Sequence, residues 1–194
     1  MTEKEKMLRG MLYDANDSAL CADRVRAKEL CHAYNQLRPS DAAGMRELLQ
    51  RLLGKTGETF CVTAPFWCDY GYNIRLGEHF YANHNLVILD CAAVTFGEHV
   101  FVAPNCGFYT AGHPIDAERR ERGLEYAYPI TVGDHVWIGG GVQVMPGVTI
   151  GSNVVIGGVS VVVKDIPSDS VAVGNPCRVI RPITEADKQT CWDR

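Results

Sequence analysis

Residues 132–162, VGDHVWIGGGVQVMPGVTIGSNVVIGGVSVV, place an aliphatic side chain at every sixth position. The same interval occurs upstream in two shorter runs that are separated by a slip of two residues. A glycine often follows the recurring apolar residue. The positions in register are Leu76, Ala82, Ile88, then Phe96, Val102, Phe108, and finally Val132, Ile138, Val144, Ile150, Ile156 and Val162.

A period of six matches neither the 3.6-residue period of an α-helix nor the two-residue alternation of a half-buried strand. It fits a short strand followed by a tight turn, repeated around the flat walls of a prism. The recurring side chain then points inward, and glycine or asparagine takes the backbone geometry of the corner. Three hexads complete one coil, and stacked coils pair as parallel strands. The sequence therefore predicts an all-β solenoid, a parallel β-helix of hexapeptide repeats, over residues 58–181.

Residues 1–57 lack this period and predict an N-terminal helical segment. Apolar stripes at helical spacing indicate three helices, of which the second should end near Arg38-Pro39. We expect them to pack against the repeat domain or a neighbouring subunit, because three amphipathic helices bury little by themselves. Residues 182–194 predict a short polar C-terminal tail. The first stripe is Met7, Leu8, Met11 and Leu12; the third is Met45, Leu48, Leu49, Leu52 and Leu53, with Ser40 or Asp41 as cap and Gly54 as stop.

The composition is that of an ordinary soluble protein, with 46% hydrophobic and 22% charged residues. A formal net charge of −4 argues against broad electrostatic binding of nucleic acid or of an anionic membrane. The first ten residues lack the apolar core of a secretion signal, and no stretch reaches the roughly 18 apolar residues of a membrane span. We therefore expect a cytoplasmic protein.

Eight cysteines occur at positions 21, 31, 61, 68, 91, 106, 177 and 191. Their spacing contains no CxxC pair and no pattern typical of zinc ligands. We expect reduced thiols that pack as small apolar side chains, and no bound metal.

One histidine stands apart from the repeat. His79, His99 and His135 share one phase of the six-residue beat, which predicts an outward corner position. His113 instead lies between Gly112 and Pro114, where the chain leaves the repeat for a predicted loop over residues 109–131. Glycine permits close approach of a substrate, and proline fixes the direction of the exit. From these residues alone, a catalytic histidine and a simple turn both remain open.

Eight segments, in order along nearly the whole chain, resemble the maltose/galactoside O-acetyltransferase family of hexapeptide-repeat acyltransferases. The loop histidine together with Tyr81-Ala82-Asn83 and the helical front end is the most specific part of this resemblance. The resemblance implies a left-handed β-helix and a homotrimer with each active site between two prisms. The segments are 7–14, 68–74, 80–83, 112–114, 136–140, 146–151, 163–167 and 174–181.

The resemblance also implies an activity, the transfer of an acetyl group from acetyl-CoA to a hydroxyl of a sugar such as maltose, glucose or a galactoside. His113 would be the general base, a contribution of about 10²–10⁴ in rate. Asn83 would stabilise the oxyanion, where one donor is worth roughly 10²–10³. Direct transfer in a ternary complex is implied, with no covalent acetyl-enzyme.

Binding residues carried over from the family fall into two groups. The acceptor group is Asp14, Asp69 and Asn83. Where the galactoside branch has a second aspartate after Asp90, this chain has Cys91, so the acceptor stays open. Basic side chains of the second group would meet the phosphates of acetyl-CoA by charge-assisted hydrogen bonds. That group is Trp137, Gly140, Gly158, Val163, Lys164, Arg178 and Arg181.

Three alternatives remain. A β-helix of the γ-carbonic anhydrase type would bind zinc through histidines of adjacent chains. A non-catalytic scaffold would use the solenoid for assembly alone, although His113 together with Asn83 argues against it. Within the transferases, an amine or an antibiotic would replace the sugar.

Overall fold

The computed structural model describes residues 1–189, so residues 190–194 of the predicted tail, including Cys191, lie outside the described part. The chain begins with three helices and one short strand that cover the first coil of a β-helix. Each helix starts at a side chain that accepts backbone N–H groups: Thr2, Asp17 and Asp41. The elements are α1 (Glu3–Leu8), β1 (Tyr13–Asp14), α2 (Ser18–Gln36) and α3 (Ala42–Leu52).

One detail of the helical prediction is wrong. The first apolar stripe runs past the end of α1, because Gly10 has a φ of +67° and turns the chain out of the helix. Met11 and Leu12 therefore follow in extended chain and are partly exposed. The second helix ends at Gln36, with Leu37 as its C-cap, which confirms the predicted end near Arg38-Pro39.

A parallel β-helix occupies most of the remaining chain, with four coils of three strands, a fifth whose third side is a single bridge of Ile166 to Ile150, and the start of a sixth. Its third coil is interrupted between the second and third strands. A terminal antiparallel hairpin and a 3₁₀ helix, Glu185–Lys188, follow. In chain order the strands are β2 (Phe60–Val62), β3 (Phe66–Cys68), β4 (Ile74–Arg75), β5 (Phe80–Ala82), β6 (Leu86–Leu89), β7 (Val94–Phe96), β8 (Phe101–Val102), β9 (Gly107–Tyr109), β10 (Ala111–Gly112), β11 (Leu124–Ala127), β12 (Ile130–Val132), β13 (Trp137–Ile138), β14 (Gln143–Val144), β15 (Thr149–Ile150), β16 (Val154–Ile156), β17 (Val161–Val162), β18 (Ser170–Val173) and β19 (Arg178–Pro182), with α4 (Ala117–Glu121) between β10 and β11.

Three sheets form the walls of the prism. Wall 1 contains β2, β5, β8, β13, β16 and β18; wall 2 contains β3, β6, β9, β14 and β17; wall 3 contains β4, β7, β12 and β15. All twelve side chains of the six-residue beat point into the prism and are at most 2% exposed. The predicted solenoid and its core register are therefore confirmed.

The corners explain the recurring histidines. Histidine, asparagine and aspartate tolerate the left-handed backbone region better than most side chains do. His79, His99 and His135 adopt it between walls 3 and 1, with φ of 53–57°. Their rings stack at centroid distances of 4.5 and 5.1 Å. The corner assignment of these histidines is confirmed. A second left-handed column, between walls 1 and 2, comprises Asn85, Asn105, Gly141, Val159 and Gly174.

The outward faces of the walls differ in polarity. The outward side chains of wall 3 are polar and can stay hydrated: Arg75, Thr95, Thr131 and Thr149. Wall 1 presents a row of apolar and aromatic side chains instead. Within that row Phe101 is 51% and Trp137 48% exposed, which leaves a broad apolar strip uncovered in one chain. In register, this strip is Cys61, Tyr81, Phe101, Trp137, Val155 and Val171.

The interruption over residues 109–131 is more regular than the predicted loop. Strands β10 and β11 pair as an antiparallel hairpin around α4. The N-terminal β1 adds to the other edge of β11, with Tyr13 opposite Glu125. The helical segment and the interruption thus share one three-stranded sheet beside the prism.

The helices pack on their own prism. Ala27, Cys31 and Tyr34 of α2 and Leu49 and Leu52 of α3 join the core cluster of the first coils. Within residues 1–189, no helix has both the length and the apolarity to cross a bilayer.

Val159 generates a stability prediction. It is a β-branched residue with a φ of +60° and is 78% exposed, so its side chain gains little burial to offset the backbone strain. We expect Val159→Asn to raise the free energy of unfolding by about 1 kcal/mol in urea titrations, since Asn tolerates this region. Val179→Asn, at an exposed extended position, is the control and should not stabilise. A Val159→Asn protein no more stable than the wild type would contradict the strain.

Candidate active site

His113 follows β10, at the turn where the hairpin leaves wall 2. Its Nδ1 lies 3.3 Å from the Leu124 carbonyl oxygen. A carbonyl oxygen only accepts hydrogen bonds, so Nδ1 carries the hydrogen in this contact and the neutral ring has its lone pair at Nε2. The side chain is 55% exposed. His113 is therefore oriented and open to a substrate.

Glu125 lies beside the reactive side of that ring. Its Oε1 is 3.8 Å from His113 Nε2, and its Oε2 accepts a 2.6 Å hydrogen bond from the Tyr13 hydroxyl. Tyr13 is fully buried, and burial, with the nearby Cys91 and Glu125, raises its pKa, so the phenol stays a donor. A carboxylate held here stabilises His113 once the ring has gained a proton.

Cys91 connects this group to Asp69. The Cys91 thiol donates to Asp69 Oδ2 over 3.6 Å and lies within hydrogen-bonding reach of the Tyr13 hydroxyl. Burial raises the pKa of Asp69 and that of Cys91. The structure therefore brings together the predicted residues His113 and Asp69, and it adds Tyr13, Glu125 and Cys91 to them. We call these five residues the polar cluster.

Asp90 holds the turn that presents Asp69. Its fully buried carboxylate accepts backbone N–H groups of Asp69, Tyr70 and Asn73 at 3.1, 2.8 and 3.3 Å. Burial outweighs these bonds and raises the pKa of Asp90 to about 6.

Arg24 of α2 supports the same turn from outside. It donates to the Tyr70 hydroxyl at 2.7 Å and to the Ala15 carbonyl at 2.6 Å. Its charge also acts to lower the pKa of Asp69, against the larger effect of burial. Helix α2 is thereby tied to both β1 and the first coil.

Asp14 lies apart from the polar cluster. It follows Tyr13 in β1, so its side chain points to the other face of the strand. Its carboxylate accepts the backbone N–H of Asn16 at 2.9 Å, which is a local turn contact.

Asn83 lies at a different corner of the prism from His113. It follows β5 and shares a groove on wall 1 with Tyr81, Phe101 and Trp137. Wall 2 separates that corner from the hairpin, and the four residues of β6 in that wall span about 13 Å. A single chain therefore does not bring Asn83 to His113.

A second, larger groove of about 550 Å³ lies farther along wall 1. Its volume suits a sizeable ligand. It is lined by Trp137, Gly158 and Arg181 of the predicted coenzyme group. Gly140 is adjacent to Gly158, whose Cβ, if present, would lie 3.1 Å from the Gly140 oxygen. Both positions therefore keep the backbone accessible.

The basic residues of the coenzyme group lie in different surroundings. Arg181 makes a two-point ion pair with Asp187 at 2.9 and 2.7 Å, so a phosphate would have to compete with that carboxylate. Arg178 donates a hydrogen bond to the carbonyl oxygen of the preceding residue, Cys177, at 2.7 Å. Val163 and Lys164 follow β17 at another corner and are exposed. The groove is also lined by Asp187, Ile180 and Ile183, for which no sequence motif provides a local signal.

No group of three or more His, Cys, Asp or Glu side chains within residues 1–189 is arranged to hold a metal ion.

A hexapeptide β-helix with an oriented histidine beside its third coil is the architecture of an acyltransferase class. Residues 6–57 match the family described as maltose acetyltransferase hexapeptide capping motif. Residues 129–164 match the bacterial transferase hexapeptide repeats. A putative acetyltransferase of Saccharomyces cerevisiae is 56% identical over 96% of this chain and 95% of that protein.

Solved structures agree. A maltose O-acetyltransferase from Clostridium difficile superposes with a TM-score of 0.94 at 50% identity, covering 95% of this chain and 99% of that one. A galactoside acetyltransferase in complex with coenzyme A gives 0.96 at 42% identity, covering 100% and 96%. The chain therefore belongs to the maltose/galactoside O-acetyltransferase family and is an acetyltransferase.

Asp90 generates a pH prediction. The folded protein keeps a proton on Asp90 up to about pH 6, whereas the unfolded chain releases it near the ordinary pKa of 3.8. Between these values the unfolded state binds fewer protons, so this group's contribution to stability falls as the pH rises. Asp90→Asn also leaves a backbone donor without an acceptor, at about 1–3 kcal/mol. We expect the loss of unfolding free energy in Asp90→Asn to be larger near pH 5 than near pH 7.

Asp165→Asn is the matched control, because the exposed Asp165 carboxylate accepts one backbone N–H, that of Thr149. Its stability loss should be smaller, since it loses a single exposed contact. A loss in Asp90→Asn that does not vary with pH would contradict the raised pKa.

Proposed function

We propose that the protein transfers an acetyl group from acetyl-CoA to a hydroxyl of a sugar such as maltose, glucose or a galactoside. The observation that carries this proposal is the contact of His113 with Glu125 and Leu124, in a chain that belongs to a sugar O-acetyltransferase family. Structures of relatives hold coenzyme A or acetyl-CoA, which supports acetyl-CoA as the donor.

The mechanism begins with proton removal. Nε2 of His113 takes the proton of the acceptor hydroxyl as the oxygen attacks the thioester carbon. Glu125 stabilises the resulting imidazolium, and Tyr13 keeps Glu125 in place. Asn83 donates its amide hydrogen to the oxyanion. Collapse of the intermediate breaks the carbon–sulfur bond, and the departing thiolate takes the proton from His113.

A homotrimer would complete the site. Asn83 and Trp137 lie on wall 1, whereas His113 lies beyond wall 2, so one chain supplies two separated halves. The uncovered apolar strip on wall 1 is the surface that a second copy would bury. A cyclic arrangement of three chains would pair each wall 1 with a neighbour's hairpin.

The polar cluster suits a neutral polyhydroxyl acceptor, because Asp69 and Glu125 accept hydrogen bonds from hydroxyl groups. The same two carboxylates would also attract an ammonium group, so an amine is the second candidate acceptor. We further propose a cytoplasmic location, which agrees with the seven described cysteines being free thiols.

An acceptor screen tests the function. Release of the CoA thiol from acetyl-CoA would be followed with maltose, glucose, galactosides and simple amines at equal concentration. We expect release with at least one sugar that exceeds release with every amine. Release with amines alone would contradict the sugar, and no release with any acceptor would contradict the transfer reaction.

The proton path predicts graded losses. His113→Ala should lower kcat by at least about 100-fold and leave acetyl-CoA binding intact, because a general base is lost. Tyr13→Phe should lower kcat by about 10-fold, since Glu125 loses its 2.6 Å donor.

The matched control for the tyrosine is Tyr34→Phe, which removes a buried hydroxyl that donates to the Val62 carbonyl, away from the polar cluster. Its kcat should stay near the wild-type value. Turnover by His113→Ala close to the wild-type rate would remove this residue from the catalytic role.

A further inference from the structure

Helix α2 is fastened to residues 66–70 by three successive contacts along one face. Arg24 donates to the Tyr70 hydroxyl at 2.7 Å, at one end. Asn35 exchanges two hydrogen bonds with the Phe66 backbone, at 3.0 and 2.9 Å, at the other end. Positions 24, 31 and 35 lie on the same helix face, so the middle contact falls at Cys31.

The middle contact joins two cysteines. Sγ of Cys31 and Sγ of Cys68 are 3.7 Å apart, and both side chains are buried in the main core. A disulfide has a sulfur–sulfur distance of about 2.05 Å, so the sulfurs need to approach by only about 1.7 Å. The hydrogen bonds on both sides hold the helix beside residues 66–70 at this point.

The pairing is selective among the seven described cysteines. Cys91 and Cys106 direct their sulfurs to oxygen atoms, of Asp69 and Gly139 respectively. Cys31 and Cys68 instead direct their sulfurs at each other. Both side chains are buried, so a small oxidant reaches the sulfurs only through local opening of the contact between α2 and β3.

We propose that Cys31 and Cys68 form a modification site, at which a hydroperoxide converts the two thiols into a disulfide that fastens α2 to β3. The Cys31 thiolate attacks one peroxide oxygen, a sulfur–oxygen bond forms, the oxygen–oxygen bond breaks, and hydroxide leaves as water after taking up a proton. The Cys68 sulfur then attacks Cys31, the sulfur–sulfur bond forms, and the second oxygen leaves as water with the Cys68 proton. Two thiols lose two electrons in total, and hydrogen peroxide is reduced to two water molecules.

The pKa directions of the two thiols agree with this order of events. Either sulfur can donate in this contact; with Cys68 as the donor, the hydrogen bond lowers the pKa of Cys31, whereas the same contact, together with burial, raises the pKa of Cys68. Cys31 is therefore the better attacking thiolate and Cys68 the resolving thiol. In a reducing compartment such a bond is transient and responds to oxidant.

The proposed disulfide would lie next to the polar cluster. Cys68 directly precedes Asp69, and Tyr70 holds Arg24 on the same helix. Oxidation therefore replaces the sulfur–sulfur contact between α2 and β3 with a covalent link.

Peptide mapping tests the proposal on the folded protein. Cys61 and Cys68 fall on one tryptic peptide, residues 56–75, so the mapping uses the Cys61→Ser protein, in which an exposed thiol is removed. After treatment with hydrogen peroxide, remaining thiols are blocked with N-ethylmaleimide under denaturing conditions. We expect a cross-linked pair of peptides 29–46 and 56–75 that dithiothreitol separates, since trypsin does not cleave between Arg38 and Pro39. Recovery of both cysteines as blocked thiols, or of Cys31 linked elsewhere, would overturn the proposal.

Thermal unfolding gives a second measurement that does not depend on catalysis. The oxidised Cys61→Ser protein should unfold at a temperature several degrees above that of the reduced protein, because the cross-link restricts the unfolded chain. The shift should persist when Cys106→Ser is added, which keeps a donor to the Gly139 carbonyl. It should vanish when Cys31→Ser is added. Equal midpoints for the oxidised and reduced Cys61→Ser protein would overturn the fastening of α2.

Discussion

Parallel pairing between successive coils is the constraint on which this protein depends. Each inward residue lies directly on the inward residue of the next coil, as Ile138 lies between Val102 and Ile156. One inserted residue within a strand would turn a core side chain to the outside. Insertions are therefore confined to corners, and the long interruption leaves after β9 and returns at β12 with the register of wall 3 intact.

The chemistry depends on the parts that do not repeat. The interruption folds back as a hairpin, and the N-terminal β1 completes it, so Tyr13 reaches Glu125 across 112 positions of sequence. Helix α2 in turn carries Arg24 to the turn that presents Asp69. The repeat supplies a rigid edge, and the front end of the chain places carboxylates and a phenol beside His113.

A feature of this protein could be predicted from the sequence when the signal for it lies within a few neighbouring residues. The core positions and the corner histidines were predictable because each depends on a six-residue pattern and on backbone preferences of single residues. The contact of Glu125 with His113 was not predictable, since it needs the pairing of β10 with β11 inside the interruption, and its support by Tyr13 needs the pairing of β11 with the distant β1. Met11 and Leu12 were assigned to a helix because their spacing fits one, whereas Gly10 ends α1 before them. The catalytic and binding roles of His113, Asn83 and the coenzyme group stay predictions.

The proposed active site takes Asn83 from one chain and His113 from its neighbour. The most direct test is to unfold His113→Ala and Asn83→Ala proteins, mix them in equal amounts, refold them together and assay CoA release. Each variant alone should be nearly inactive, and the mixture should regain about a quarter of the wild-type rate, the share of sites in which both halves are intact after random assembly. A mixture no more active than the two variants assayed separately would contradict a site shared between chains.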